Sequence, residues 1–133
     1  MTVTYDSSAL IDILRGDERA LGEADRLEKE GGLPVLSTVA VFEVLSGVEF
    51  TKSRLERTRL ESLLSQFRLE SFDQESARMA AELRGELLPA GRSSSAPDVM
   101  IAGHALAHGH VLVTRDRSLA SIATASGLTL VRY

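Results

Sequence analysis

The sequence predicts an α/β fold, in which helices cover a central, mostly parallel sheet in a three-layer α/β/α arrangement. Short runs of β-forming residues recur along the chain, and stretches with helical periodicity separate each from the next. Glycines stand where most of the helical stretches close, as a left-handed residue after a helix C-terminus requires.

In chain order, the β-type runs are Thr2–Tyr5, Pro34–Ser37, Arg68–Ser71, Val111–Val113 and Leu128–Val131. Between them the periodicity predicts helices over Ser8–Arg15, Glu18–Glu30, Thr38–Gly47, Thr51–Phe67, Gln74–Leu88, Pro97–His108 and Arg117–Ser126. Gly16, Gly31–Gly32, Gly47, Gly109 and Gly127 follow or close these stretches. Ala90–Ala96 reads as a loop too short to divide two domains. One domain over residues 1–133 is expected, with no internal repeat.

A composition of 44% hydrophobic and 26% charged residues belongs to an ordinary globular protein. The absence of cysteine excludes disulfides and thiolate metal sites and fits the cytoplasm. Met1–Ser8 has no basic or apolar leader pattern, and no apolar run reaches bilayer-spanning length, so a cytoplasmic, membrane-free protein is expected. A net charge of −4 does not resemble the basic footprint of a protein that holds nucleic acid mainly through phosphate contacts. Any nucleic-acid contact must therefore be local.

In open parallel sheets, ligands collect at the carboxyl ends of the strands. Asp6 directly follows the first run, Asp116 follows the fourth after Thr114 and Arg115, and Asp98 opens the helix that starts at Pro97. Glu43 lies in Thr38-Val-Ala-Val-Phe-Glu-Val-Leu-Ser-Gly47, a helix apolar nearly all round and hence expected to be buried. A carboxylate is costly to desolvate there without a compensating cation or hydrogen bonds, the other reading being a Glu at a small exposed window of the helix or paired with an arginine. Singly, Asp6 and Asp116 read equally well as N-caps, and Asp98 as a first-turn acid favoured by the helix dipole. Together the four acids would crowd one pocket, and a hard divalent cation, Mg²⁺ or Mn²⁺, would relieve their repulsion.

The other polar residues have simpler readings. Asp73 is an N-cap, and Asp12 and Asp17 are expected in solvent. His104 and His108 share the i, i+4 spacing of zinc-binding helices, but Ala105 stands where a metalloprotease needs Glu, and no histidine cluster is evident. Lys52, Arg54, Arg57 and Arg59 mark a solvated helix face that could also meet RNA or a partner. Arg115 and Arg117 flank Asp116, where guanidinium groups can pair with phosphate oxygens.

Asp6-Ser-Ser-Ala-Leu-Ile, Glu43 within Ser37–Gly47, Pro97-Asp-Val-Met-Ile-Ala-Gly-His-Ala-Leu and Thr114-Arg-Asp116 together resemble PIN-domain ribonucleases, most of all the VapC-type toxins of bacterial toxin–antitoxin pairs. The resemblance covers essentially the whole chain. It implies a PIN-like fold and a Mg²⁺- or Mn²⁺-dependent endoribonuclease, usually a homodimer, neutralised by a small antitoxin. Asp6, Glu43, Asp98 and Asp116 take the places of the family's metal-binding, catalytic acids, with Ser7 and Thr114 as accessory hydroxyls beside them. The chemistry expected is hydrolysis of an RNA phosphodiester by a metal-activated water.

A rival phosphotransfer site on Asp6 is disfavoured. A dehalogenase-like site would need an aspartate at Ser8, a receiver-like site would need a late lysine, and no phosphate-binding glycine loop is present. The remaining alternative is a catalytically idle PIN-like binding or assembly module whose acids serve only as caps.

Overall fold

The β-branched and aromatic residues of Thr2–Tyr5 form β1, and this strand becomes the centre of a five-stranded sheet. A computed structural model describes residues 1–89, 91, 94–119 and 126–133. After β1 come α1 (Ser7–Leu14), α2 (Glu18–Lys29), β2 (Leu33–Ser37), α3 (Thr38–Thr51) and α4 (Arg54–Leu64). The chain continues through β3 (Arg68–Glu70), α5 (Gln74–Leu87), α6 (Ala96–His108), β4 (Val111–Thr114) and β5 (Leu130–Arg132). The strand order is β3-β2-β1-β4-β5, and every pairing among the described residues is parallel.

Alternation along the central strands divides the core between the two sheet faces. Val3 and Tyr5 of β1 and Val113 of β4 pack with Ala9, Leu10, Leu27, Val44 and Leu60 of the helices α1 to α4. Leu112, pointing the other way, packs with Leu83, Val99, Ile101 and Ala105 of α5 and α6. Leu10, Leu36 and Leu112 are fully buried, each contributing roughly 1.5–3 kcal/mol through removal of apolar surface from water. On the second face α5 and α6 approach closely. A Cβ added at Gly103 of α6 would stand 2.6 Å from both the Cβ and the backbone N of Ala80.

Several expected boundaries are corrected. The single helix expected over Thr51–Phe67 is interrupted, because Lys52 adopts φ 55° and Ser53 caps a new helix through Glu56 N–H at 3.2 Å. Gly47 does not close α3, which runs on to Thr51. The last strand is displaced toward the C-terminus, to Leu130–Arg132, while Leu128 is buried in the core instead of pairing. Nor is α3 buried all round, since Phe42 and Phe50 are 67% and 89% exposed. Most of the helix expected over Arg117–Ser126 lies outside the described residues. Among the described residues, no helix is long and apolar enough to cross a membrane.

Candidate active site

The strand order reverses at β1: the chain proceeds outward through β2 and β3, then returns to β4 on the other side of β1. Such a switch point leaves a crevice at the strand C-termini, between the two strands where the order turns. Tyr5 lies in register with Val113, and Asp6 N–H donates to the Val113 carbonyl at 3.1 Å. Asp6 and Thr114 therefore stand side by side at the crevice.

Asp6 is both the N-cap of α1 and part of the crevice wall. Its Oδ1 accepts hydrogen bonds from Ala9 N–H and the Ser8 hydroxyl, both at 2.8 Å, and its Oδ2 accepts one from the Thr114 hydroxyl. An ionised carboxylate offers about four lone-pair directions, so roughly one remains for the crevice. At 2% exposure, burial pushes the Asp6 pKa up, against these hydrogen bonds, and the nearby Asp98 charge pushes it in the same direction as burial.

Asp98 reaches the same place from the other side of the chain reversal. Ser95 caps α6 by accepting from Asp98 N–H at 3.3 Å, and Pro97 stands in the first turn. Because α6 leads into β4, its N-terminus lies at the carboxyl edge of the sheet. Burial raises the Asp98 pKa too, opposed by Ser95 and reinforced by Asp116. Asp116 is held by the loop after β4: its N–H donates to Thr114 Oγ1 at 2.9 Å, and its Oδ1 accepts from Ser118 N–H at 2.8 Å. Thr114 thus ties Asp6 to Asp116 through one buried hydroxyl.

Asp6, Asp98 and Asp116, with Ser8, Arg115 and Arg117, line one open cleft of about 430 Å³. Glu43 is not on that lining. It stands half-buried in α3, where its Oε1 accepts a hydrogen bond from the Ser7 hydroxyl at 2.7 Å, and so it adjoins Asp6 through one intervening residue. Its other surroundings are a second cavity, of about 440 Å³, lined by Ile11, Leu14, Val44 and Val48 as well as Arg15 and Arg59. The structure therefore brings three of the expected acids onto one cleft and links the fourth to it through Ser7.

Asp12, expected in solvent, is 5% exposed. Arg115 donates to it at 3.1 Å and the Tyr133 hydroxyl at 2.7 Å. Burial, followed by this bond to Asp12, pushes the Tyr133 pKa far up, so the phenol remains a donor. Arg115 is consequently anchored at the cleft by an acid whose apolar neighbours Ile11 and Ile13 were the one sequence signal of its burial. Asp17 and Asp73 are N-caps, the latter accepting from Ser76 N–H at 2.9 Å.

The histidines, in contrast to the sequence reading, do cluster. His104 and His108 share one face of α6, and Gly109, at φ 67°, turns the chain so that His110 N–H donates to the Ala105 carbonyl at 2.9 Å. The ring centroids stand 5.0, 5.2 and 5.9 Å apart. Burial, the largest influence on each, pushes both His104 and His110 below the usual imidazole range.

The sequence pattern of the PIN domain matches residues 3–125. The chain is 30% identical over 95 residues to the tRNA(fMet)-specific endonuclease VapC of Shigella flexneri, an alignment covering 69% of this chain and 70% of that protein. Its fold is similar to a chain of VapBC2 from Rickettsia felis, bound in that crystal to a promoter DNA fragment. The TM-score is 0.85 at 22% identity, over 100% of this chain and 99% of the other. It is also similar to a chain of FitAcB from Neisseria gonorrhoeae, at TM-score 0.78 and 28% identity, over 98% and 96% of the two chains. With the acidic crevice at the sheet's switch point and these likenesses at both levels, the chain belongs to the PIN-domain family, on its VapC branch.

Proposed function

We propose that this protein is the toxin of a toxin–antitoxin pair and a Mg²⁺- or Mn²⁺-dependent endoribonuclease, with Asp6, Glu43, Asp98 and Asp116 as its functional acids. The observation that carries the reading is the convergence of Asp6, Asp98 and Asp116, distant in sequence, on one open cleft. Burial and mutual repulsion oppose ionisation of Asp6 and Asp98, and no ammonium or guanidinium group pairs with either among the described residues. An all-oxygen donor set of this kind fits a hard divalent cation. Asp6, Asp98 and Asp116 would hold it, and Glu43 adjoins them through its bond to Ser7. When bound, such an ion supplies positive charge that activates a water and stabilises charge on the scissile phosphate.

The chain's own groups provide the rest. Thr114 and Ser8 fix the Asp6 carboxylate in one orientation, and Thr114 also holds the loop that carries Asp116. Arg115, anchored by Asp12, and the exposed Arg117 border the cleft, where they can pair with phosphate oxygens despite the net charge of −4. In the hydrolysis, water adds to phosphorus and the ribose oxygen leaves with a proton.

The names of the similar structures, VapBC2 and FitAcB among them, support a small antitoxin as partner. The cavity lined by Ile11, Leu14, Val44 and Val48 offers it an apolar seat, with Arg15 and Arg59 also on the lining. A cytoplasmic homodimer is part of the same reading. The test is RNA cleavage by wild type and Asp98→Asn, with Mn²⁺ or with excess EDTA, and circular dichroism on both. Cleavage by wild type in Mn²⁺ alone is expected. Equal cutting in EDTA would overturn the metal-dependent reading.

A further inference from the structure

The histidine cluster lies away from the acidic cleft: His110 immediately precedes β4, whereas Asp6 and Asp116 gather beyond its other end at Thr114. Glu70, at the end of β3, completes it. Its Oε1 stands 3.3 Å from His104 Nε2 and 3.4 Å from His110 Nε2, and one ligand atom from each of the three residues lies within 4.8 Å of the others. The two imidazoles are almost entirely enclosed, with side chains 1% and 5% exposed.

These contacts do not satisfy the rings. His104 Nδ1, His104 Nε2 and His110 Nδ1 are buried with no hydrogen-bond partner. His104 Nε2 is near enough to Glu70 to bond but is not aligned to do so. Native interiors rarely leave such groups orphaned without a missing ion, water or function to account for them. His108 differs, since its Nε2 faces Asp73 Oδ2 at 2.9 Å and so has a partner of its own.

We propose that His104, His110 and Glu70 form a second metal site, for a borderline divalent ion such as Zn²⁺, built into the junction of β3, α6 and β4. Zinc is bound by imidazole nitrogen and carboxylate oxygen at about 2.0–2.2 Å in a tetrahedron, whose ligand atoms then stand about 3.3–3.6 Å apart. The separations of 3.3 and 3.4 Å match that edge. Two imidazoles with one carboxylate also suit zinc better than magnesium, which prefers all-oxygen sites and keeps its waters. The ion links the C-terminal half of α6 to the edge strand β3. The inference is independent of the nuclease reading, because no residue is shared between the two sites.

The experiment uses the full chain carrying Asp6→Asn and Asp98→Asn, which weakens the acidic cleft and leaves the histidines untouched. Zn²⁺ is titrated calorimetrically, and thermal melting is followed with Zn²⁺ or Mg²⁺. One equivalent of Zn²⁺ and a higher Tm are expected, with no such rise in Mg²⁺. Adding Glu70→Gln should weaken Zn²⁺ binding about ten-fold or more. Glu70 is 22% exposed in its side chain and Gln has the same shape, so the substitution preserves the packing around the two buried imidazoles. Absence of Zn²⁺ binding, binding that Glu70→Gln leaves unchanged, or an equal Tm rise in Mg²⁺ would each overturn the proposal.

Discussion

Thr114→Val removes the buried hydroxyl that ties Asp6 to Asp116 while keeping the β-branched shape that β4 requires. That hydroxyl donates to Asp6 Oδ2 and accepts from Asp116 N–H at 2.9 Å. A hydrogen bond to a charged group contributes about 1.5–3 kcal/mol net, and a partly buried N–H left without a partner costs about 1 kcal/mol. The variant should therefore be about 2–4 kcal/mol less stable at pH 7. In a chain of this length each kcal/mol lowers Tm by about 3–4 °C, so a drop of roughly 6–16 °C is expected. Thr114→Ser keeps the hydroxyl and loses a buried methyl, a cost of about 1 kcal/mol. The deficit of the Val variant should shrink in acid, because a bond that favours the Asp6 carboxylate matters less once Asp6 is protonated. Melting of both variants in metal-free buffer at pH 7 and in acid is the assay. A Val variant as stable as the Ser variant at pH 7 would refute the role given to the hydroxyl.

Asp98→Asn has a pH signature of its own. Burial raises the Asp98 pKa in the folded state, so its contribution favours folding below the unfolded carboxylate value of about 3.9 and is lost as pH rises through the raised value. Asn stays neutral, so in metal-free urea titrations the variant should match wild type in acid and exceed it at pH 7; a wild type more stable at pH 7 would contradict this. Gly103→Ala should destabilise by about 1–3 kcal/mol, because its Cβ would meet Ala80 Cβ, N and Cα at 2.6–2.7 Å and helix propensity returns only about 1 kcal/mol. Gly85→Ala, in α5 with nothing within 4 Å of the added Cβ, should instead stabilise by about 0.5–1 kcal/mol. Urea midpoints for the pair check both signs.

Sequence pattern revealed what depends on neighbours in the chain. Thr2–Tyr5 alternates toward two covered faces, Asp6 and Asp98 sit at helix starts, and Gly109 closes α6 in the left-handed conformation. What escaped depends on partners far away. Asp12 is buried by Tyr133, 121 positions distant, and Arg115, 103 positions distant, neither of which any local period can foresee. The break between α3 and α4 uses Lys52 rather than glycine in the left-handed region, so the usual stop signal was missing. Glu43 was legible as an unusual acid in an apolar helix, but the helix leaves Phe42 and Phe50 in solvent, and the acid bonds Ser7 and lines the second cavity rather than the acidic cleft. The histidine cluster needed the fold, since Glu70 reaches His104 only when β3 and α6 come together.

Asp6, Asp98 and Asp116, from three separate parts of the chain, are proposed to hold one hard divalent ion at the switch point of the sheet. Anomalous diffraction from crystals grown with Mn²⁺ locates that ion directly. A peak is expected among the carboxylates of Asp6, Asp98 and Asp116, and it should vanish or weaken sharply in Asp98→Asn crystals. A well-ordered cleft with no peak between those side chains at saturating Mn²⁺ would contradict it.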